Sequence, residues 1–220
     1  MTARRPVAVA FDVVETLFSL APVEEALRPL GVPLPLFFTR FLRDGFALAA
    51  AGDHQPFPVV ASSALRVLAP EGSDTDRRAV LDAFTRLPAH PDAAPAMERL
   101  SAAGMQVVTL TNGGADTTSR LLARAGLDVH VERAISVDDV GRWKPAPEPY
   151  LHAATVLGRS PGEIALVAAH DWDVHGAKRA GFVTGWCSRS GRAFPDVFAP
   201  PDVTGRDLVA VVDGLLGLPA

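Results

Sequence analysis

The chain has 220 residues, of which 48% are hydrophobic and 21% are charged, and its formal net charge is -4. This length suits one globular core, alone or with a small insert. The charge excludes a broad basic surface for nucleic acid, and no basic run suggests attachment to a membrane. A single cysteine, Cys187, excludes an internal disulfide and any cysteine-rich metal site.

The N-terminus carries part of the pattern of a signal peptide. Arg4 and Arg5 precede the apolar run 7–11, but Asp12 and Glu15 interrupt that run before a hydrophobic region of the required length forms. No window approaches the length of a membrane span. We therefore expect a protein of the reducing cytoplasm that binds neither membrane nor nucleic acid.

Residues 19–88 follow the first predicted strand and show helical periodicity without a convincing strand. The predicted helices there are 22–29, 35–50, 58–68 and 76–86. A helical insert at this place predicts a cap over a sheet. We therefore divide the chain into a Rossmann-like core, residues 1–18 and 89–220, and a helical cap, residues 19–88.

The remaining chain alternates between short apolar, β-branched segments and helical segments that end at glycine. The predicted strands are 6–11, 106–111, 133–137, 164–169 and 182–187, and the predicted helices are 94–103, 116–125, 147–157 and 173–180. A proline-rich loop, 192–205, precedes a last helix, 206–217. This alternation predicts an α/β protein with a parallel, Rossmann-like sheet.

Four polar clusters are expected at one edge of that sheet. Asp12 follows the first strand, Thr111 and Asn112 follow the second, Lys144 lies in a loop, and residues 170–173 follow the fourth strand. Ligands bind at the carboxyl ends of the strands in open parallel sheets. A single acid at such a place is more often a turn or helix cap, but the coincidence of four clusters favours an active site.

These clusters, in this order and spacing, resemble the haloacid dehalogenase superfamily, and within it the L-2-haloacid dehalogenase family. The resemblance covers essentially the whole chain and is carried by the runs FDVVETLF, TLTNGG, RWKPAPEPYLHAA and LVAAHDWDVHGAKRAGF. It implies hydrolysis of a small 2-haloalkanoic acid to a 2-hydroxy acid with inversion at C2. It implies no metal and no organic cofactor, and it leaves a homodimer open.

The resemblance gives roles to the catalytic candidates. Asp12 would attack the substrate and form an ester, Thr16 would hold its carboxylate by a hydrogen bond, and Lys144 would add positive charge beside it. Asp173 would pair with Lys144 and activate the hydrolytic water, with Tyr150 in the same site. The structural alternatives are turn or helix caps for the acids, a loop position for the threonine, a surface position for the lysine and core packing for the tyrosine.

Other residues are expected to bind the substrate or the halide. Thr111 and nearby backbone N–H groups would bind the substrate carboxylate, and Asn112 would donate to the halide, although an Asn-Gly-Gly run is also natural turn chemistry. His170 stands where many family members have asparagine and would orient the water. Trp172 would form a wall of the pocket.

The resemblance also requires an arginine of the cap to receive the halide. The candidates are Arg40 and Arg43, and pairing the segment LFFTRFLRDGFALA with the family's cap helix favours Arg40. Asp44 follows Arg40 by four residues, so an ordinary ion pair on a helix surface is the alternative. The phenylalanines of this segment are expected in the cap core, with one or two of them shielding the halide.

Three departures bear on the function. Val14 and Ala169 stand where the phosphatase branch of the superfamily carries acids, so a Mg²⁺ site with several oxygen ligands is not expected. Val14 also replaces a frequent tyrosine of the dehalogenases, and Glu15 replaces a small residue. Two alternatives stay open: a Mg²⁺-dependent phosphatase for a small phosphate ester, and a non-catalytic binding protein of the same fold.

Overall fold

The computed structural model describes residues 3–220, so the first two residues of the predicted core segment 1–18 lie outside the described part. Within that part, six parallel strands form one sheet in the order β3-β2-β1-β4-β5-β6. They are β1 (Ala8–Phe11), β2 (Gln106–Thr111), β3 (Arg133–Ser136), β4 (Ile164–Ala168), β5 (Val183–Cys187) and β6 (Val203–Gly205). The α/β class and the five predicted strands are confirmed.

Strand β1 lies at the centre of the sheet, and this places Asp12 in the middle of the carboxyl edge. Phe11 pairs with Thr109 of β2 on one side and with Val167 of β4 on the other. The chain first extends the sheet through β2 and β3, and then returns to add β4, β5 and β6 on the opposite side of β1. The end of β1 is therefore the switch point at which open α/β sheets bind ligands.

Strand β6 corrects one expectation, because it lies in the segment 192–205 that the sequence predicts as a loop. Gly185 of β5 pairs with Val203 at its start. The carboxylate of Asp202 accepts hydrogen bonds from the backbone N–H and the hydroxyl of Thr184, at 2.9 and 3.0 Å. Contacts to a residue distant in the chain therefore fix this short strand, and the proline-rich local sequence gives no signal of it.

Helices follow β1, as predicted for residues 19–88. They are α1 (Ala21–Leu27), α2 (Leu34–Ala50), α3 (Phe57–Leu68) and α4 (Asp74–Ala83). Helix α2 packs against α3, and α1 packs against α4. Their buried apolar residues belong to the same hydrophobic cluster as Val9 and Phe11 of β1. We call α1–α4 the cap helices; their separation as a domain of their own stays a prediction.

The later helices cover both faces of the sheet. They are α5 (Ala93–Ala102), α6 (Ala115–Ala125), α7 (Pro147–Leu157), α8 (Asp171–Arg179) and α9 (Leu208–Leu216). Helices α7 and α8 pack on the face that carries Ala8 and Ala10 of β1, and α5 and α9 pack on the other face. None of the helices within residues 3–220 combines the length and apolar character that a membrane span requires.

Candidate active site

Asp12 follows β1 directly and forms the centre of the site. Its backbone N–H donates to the carbonyl of Val167 at 3.0 Å, which holds it beside β4. Its carboxylate is contacted by the hydroxyl of Thr16 at 2.7 Å, by Nζ of Lys144 at 2.9 Å and by Nδ1 of His170 at 3.1 Å. A carboxylate has about four lone-pair sites, so three contacts leave one for a reacting group.

Lys144 is the positive charge behind Asp12. Its side chain is fully buried, and Nζ donates to Oδ1 of Asp12 at 2.9 Å, to Oδ2 of Asp173 at 2.6 Å and to the carbonyl of Leu110 at 2.8 Å. An ammonium group has three donors, and all three are used. The ammonium is therefore tolerated inside the protein because two carboxylates and a carbonyl replace the water that it loses.

Asp173 lies in the first turn of α8 and is fully buried. Its Oδ1 accepts a hydrogen bond from the hydroxyl of Tyr150 at 2.7 Å. The close approach of Tyr150 depends on Gly176, since a Cβ at that position would lie 2.6 Å from the tyrosine oxygen. Tyr150, Asp173, Lys144 and Asp12 consequently form one continuous polar chain, as the sequence predicts.

The charges of this chain set the protonation of Asp12. Burial favours the neutral form, but Lys144 and His170 outweigh it and hold the pKa of Asp12 well below its usual range. Burial raises the pKa of Asp173, and the charge of Asp12 adds to this rise although Lys144 opposes it. Burial also opposes the charge of Lys144, yet the two carboxylates raise its pKa above the ordinary value. Asp12 is therefore an ionised carboxylate at neutral pH, as a nucleophile requires.

His170 contacts one carboxylate oxygen of Asp12, and Lys144 contacts the other. Nδ1 of His170 lies 3.1 Å from Oδ2 of Asp12, and its Nε2 lies 3.3 Å from Oε2 of Glu15. Burial lowers the pKa of His170, but the two carboxylates outweigh burial and raise it to about 9. The ring also stacks between Phe38 and Trp172, with centroid distances of 5.5 and 5.1 Å. His170 is thus a cation at neutral pH with a fixed ring plane.

Two residues of this site are not assigned by the sequence, Glu15 and Arg189. Glu15 has a φ of 61°, a left-handed conformation that is uncommon outside glycine. Arg189 donates to the carbonyls of Glu15 and Thr16 at 3.2 and 2.6 Å, and it also pairs with Asp92 at 2.9 Å. Arg189 therefore fixes the loop that carries Glu15. The only sequence signal is that Glu15 replaces a small residue.

Thr111 and Asn112 lie at the end of β2, where they shape the loop that leads into α6. Oγ1 of Thr111 accepts from the N–H of Gly113 at 2.9 Å. Oδ1 of Asn112 accepts from the backbone N–H of Lys144 at 2.9 Å. Helix α6 begins at Ala115, so the N–H groups of its first turn are presented at the same edge of the sheet. This helix terminus suits a carboxylate or another anion.

A cavity of about 290 Å³ opens between the cap helices and this edge of the sheet. We call it the substrate cavity. The predicted site residues that line it are Asp12, Thr111, Asn112, His170 and Trp172. Four further predicted residues lie outside the lining. Thr16 and Lys144 contact Asp12, Asp173 contacts Lys144, and Tyr150 contacts Asp173. The site thus has a wall that meets the substrate and a buried support behind that wall.

The structure does not bring Arg40 to the substrate cavity. Nε of Arg40 pairs with Asp44 at 2.9 Å, and Arg43 contacts the same carboxylate at 2.7 Å. With 3.6 residues per turn, both arginines lie on the side of α2 away from the stripe that carries Phe38 and Phe41. Neither arginine lines the cavity, so the surface ion pair, which was the alternative, is what the structure shows.

The phenylalanines of α2 divide between the cap core and the cavity. Phe37 is fully buried, whereas Phe38 and Phe41 line the cavity. Phe46 packs edge-on against Trp172 with a centroid distance of 5.0 Å. Two aromatic rings of this helix therefore line the cavity, and the shielding of the halide by one or two of them stays a prediction.

Comparison with known proteins decides the family. Residues 6–181 match the model of the haloacid dehalogenase-like hydrolases. The chain belongs to this family. Within it, the chain is 33% identical to the (S)-2-haloacid dehalogenase of Xanthobacter autotrophicus over 184 residues, which are 80% of this chain and 72% of that enzyme. It is 36% identical to (S)-2-haloacid dehalogenase 4A of Burkholderia cepacia over 121 residues, 55% of this chain and about half, 52%, of that enzyme.

The fold also matches a solved L-2-haloacid dehalogenase. The structure of the Xanthobacter autotrophicus enzyme with chloropropionic acid covalently bound superimposes with a TM-score of 0.84 at 25% identity, covering 96% of this chain and 99% of that one. The resemblance to the L-2-haloacid dehalogenase branch of the family is confirmed by these relatives.

Proposed function

We propose that this haloacid dehalogenase-like hydrolase converts 2-haloalkanoic acids to 2-hydroxy acids through an ester on Asp12. The observation that carries the proposal is an ionised Asp12 at the wall of the substrate cavity, with Lys144 buried behind it. An Asp12 oxygen attacks C2 from the side opposite the halogen. The C–O bond forms as the carbon–halogen bond breaks, and the halide leaves with its electron pair. This direction of attack inverts C2.

The polar end of the substrate cavity supports this arrangement of the substrate. The first turn of α6 and the loop around Gly113 and Gly114 offer backbone N–H groups to the substrate carboxylate. Arg40 faces away, and within residues 3–220 the cavity lining includes no lysine or arginine. His170 is then the cationic side chain of the lining, and its contact with Asp12 places its charge beside the attacking carboxylate. Asn112, which also lines the cavity, stays the predicted donor to the leaving halide.

The second step needs a base for the hydrolytic water. The resemblance assigns this role to Asp173, which stays a prediction, but Asp173 is fully buried and outside the cavity lining. His170 lines the cavity and contacts Asp12. Ester formation removes the negative charge of Asp12, which is one of the groups that raise the pKa of His170. We therefore propose that His170 then releases its proton to solvent and serves as the base.

Protons and bonds balance in this second step. The water oxygen attacks the carbonyl carbon of the Asp12 ester, while His170 takes a proton from the water. The bond between that carbon and the substrate oxygen breaks, and the 2-hydroxy acid leaves with the remaining proton. Asp12 is again a carboxylate, and His170 is again a cation held by Glu15 and Asp12.

The phosphatase alternative has weaker support from the donor set. The side chains of Val14 and Ala169 offer no oxygen ligand, and the backbone N–H of Ala169 donates to Thr16 at 2.9 Å. Nζ of Lys144 contacts both Asp12 and Asp173, so an ammonium group already occupies the position between these two acids. Mg²⁺ prefers several oxygen ligands in octahedral geometry, and these groups do not provide them.

The proposal is tested by halide release from racemic 2-chloropropionate in the presence of EDTA, for the unaltered protein, Asp12→Asn and Asp213→Asn. Asp213 pairs with Arg99 outside the cavity and serves as the matched acid control. We expect release by the unaltered protein and by Asp213→Asn, with one enantiomer left, and none by Asp12→Asn. Halide release by Asp12→Asn contradicts the proposal. The proposal is also contradicted if the protein releases no halide but releases phosphate from a small phosphate ester in a separate assay with Mg²⁺ and without EDTA.

Three finer features are added to this proposal. A preference for the L enantiomer is proposed because the relatives are named (S)-2-haloacid dehalogenases. A homodimer is proposed from the resemblance to the family, and a cytoplasmic location is proposed from the single cysteine. Chiral chromatography of the remaining acid and the sedimentation velocity of the protein test the first two.

A further inference from the structure

The substrate cavity is much larger than its polar end requires. Beyond Asp12 and the first turn of α6, its lining is mainly apolar and comes from several elements. We call this second part the apolar arm; it is lined by Phe38, Phe41, Leu42, Phe57, Leu81, Phe84 and Leu121. The whole substrate cavity, with a volume of about 290 Å³, lies near the lower end, about 300 Å³, of pockets that hold drug-sized ligands. A three-carbon haloacid leaves most of such a volume unfilled.

The apolar arm extends along α6. Gly114 precedes this helix, and Leu121 lies seven positions further on, so at about 1.5 Å per residue the lining follows the helix for about 10 Å. An extended polypeptide advances about 3.3 Å per residue, which is three backbone bonds, and an extended alkyl tail has a similar reach per bond. A carboxylate at the start of α6 therefore leaves room for a tail of several methylene groups. Thr85, which is exposed, borders the arm and lets longer tails reach solvent.

The walls of the apolar arm are formed by rings that hold each other in place. Phe57 contacts Phe84 and Phe41 edge-on, with centroid distances of 4.8 and 5.3 Å, and Phe41 contacts Phe38 edge-on at 5.0 Å. Edge-on pairs are a favoured arrangement of aromatic rings. The arm is thus formed by side chains in mutual contact, and a tail that enters it finds a surface already shaped.

The charges of the lining select against a second charge on the tail. Besides Asp12 and the cationic His170 at the polar end, the charged residue of the described lining is Asp138. Asp138 is 3.0 Å from Nε2 of His54. A dicarboxylate tail would meet aromatic rings and one further acid, and burial of an unpaired charge is unfavourable. The tail that fits this arm is uncharged and apolar.

From these observations we infer that the preferred substrates are 2-haloalkanoic acids with an apolar tail of about four to six carbon atoms beyond C2, bound by the apolar arm along α6. The inference rests on the proposed function and adds its substrate class. Each methylene that enters the arm contributes about 0.8 kcal/mol, which corresponds to about a fourfold gain in kcat/KM. The gain is expected to level off once the tail reaches the exposed rim at Thr85.

The first test is kcat/KM for bromide release from the 2-bromo acids of propionate, butanoate, hexanoate and octanoate. We expect kcat/KM to rise about fourfold per methylene and then to level off. Values that are highest for 2-bromopropionate and fall with chain length overturn the inference. If the protein releases no bromide from any of these acids, the proposed function fails, and a binding measurement then tests the arm on its own.

That binding measurement is calorimetry with the unreactive acids butanoate, hexanoate and octanoate. We expect the Kd to fall about fourfold per methylene, with a negative heat-capacity change. A Kd that does not change with chain length overturns the inference, whether or not halide is released. The two tests therefore separate the failure of the arm from the failure of the chemistry.

A charge placed in the arm provides the sharpest variant. Leu81 is half-buried in the lining, and Leu36, also a leucine of the cap helices, is exposed outside it. We expect Leu81→Lys to shift the ratio of kcat/KM for 2-bromohexanoate over 2-bromoadipate toward the dicarboxylate by about tenfold or more. Leu36→Lys keeps the original ratio. An equal ratio in all three proteins, including the unaltered one, overturns the inference.

Discussion

The substrate cavity has one wall from the sheet and one from the cap helices. The two walls differ in their chemical composition and in how well the sequence predicts them. The wall formed by the sheet carries Asp12 at the end of β1, and Lys144 and Asp173 support it from behind through direct ionic contacts. The wall formed by the cap helices consists of apolar side chains, with Phe38 and Phe41 facing the cavity and Arg40 facing away. The sheet wall supplies the chemistry, and the cap wall selects what reaches it.

The difference follows from what fixes each wall. Strand ends in a parallel sheet meet at one edge by topology, so residues that follow strands converge whatever the details of packing. The direction of a side chain on α2 depends instead on how the helix is rotated about its axis, and one residue changes that direction by about 100°. Arg40 and Phe41 are neighbours in sequence and lie on different sides of the helix.

The largest effect is expected from a substitution of Lys144, which supports the wall formed by the sheet. Lys144→Met leaves Asp12 and Asp173 without the cation between them, both at low exposure. We expect a loss of about 3–5 kcal/mol in the free energy of unfolding, because breaking a buried ion pair leaves uncompensated charge. Urea denaturation followed by circular dichroism measures it, and halide release is expected to become undetectable.

A matched control for this variant is Lys178→Met. Lys178 also pairs with an aspartate, Asp202, but its side chain is 31% exposed. We expect this control to lose no more than about 1 kcal/mol, in the range of surface pairs. Equal losses for the two lysines are incompatible with a special role of the buried pair.

The second effect concerns His170, which joins the two walls. Its pKa is raised to about 9 from the ordinary value of 6.5, so the folded state binds an extra proton between these pH values. The stabilisation is fully present below about pH 6.5 and is lost as the pH rises through about 9. Relative to His170→Gln, the unaltered protein is therefore expected to lose on the order of 3 kcal/mol of unfolding free energy over this window.

Chemical denaturation at a series of pH values measures this loss, with His130→Gln as the control. His130 contacts Ser101 at the surface, away from the cavity. A difference between the unaltered protein and His170→Gln that stays constant from pH 6 to 10 would contradict the contact of His170 with two carboxylates. During turnover, we expect the Asp12 ester to accumulate in His170→Gln, because the base for the hydrolytic water is missing. Accumulation of the ester in Asp173→Asn instead would show that Asp173 is the base.

The smallest effect is expected from a substitution of Arg40, in the cap helices. Arg40→Ala removes a side chain that pairs with Asp44 and does not line the cavity. We expect a change in kcat/KM of less than about threefold, and a stability loss within the range of about 0.3–0.5 kcal/mol for a helical i,i+4 pair. The resemblance to the dehalogenases, with an arginine as halide acceptor, instead predicts a large loss of halide release. Steady-state kinetics of Arg40→Ala with 2-chloropropionate distinguishes these two expectations.

Residues of the sheet wall were accessible from the sequence because strand ends and motif spacing fix them. The polar clusters predicted at the strand ends include Asp12, Lys144 and Asp173, and the resemblance adds Thr16 and Tyr150. All five are found in one polar network. The contacts of Glu15 with His170, and of Arg189 with the loop after β1, join segments more than 150 residues apart. No local pattern encodes such contacts, and the same holds for β6 and for the rotation of α2.

The most direct test of the central claim is a single turnover with enzyme in excess over 2-chloropropionate in water enriched in ¹⁸O, followed by mass spectrometry of the product and of the peptide that contains Asp12. We predict that ¹⁸O enters the Asp12 carboxylate and that the first product molecule carries unlabelled oxygen, because water attacks the ester carbonyl and the product oxygen comes from Asp12. Label in the product with none in Asp12 would show direct attack of water on C2 and would contradict the ester mechanism.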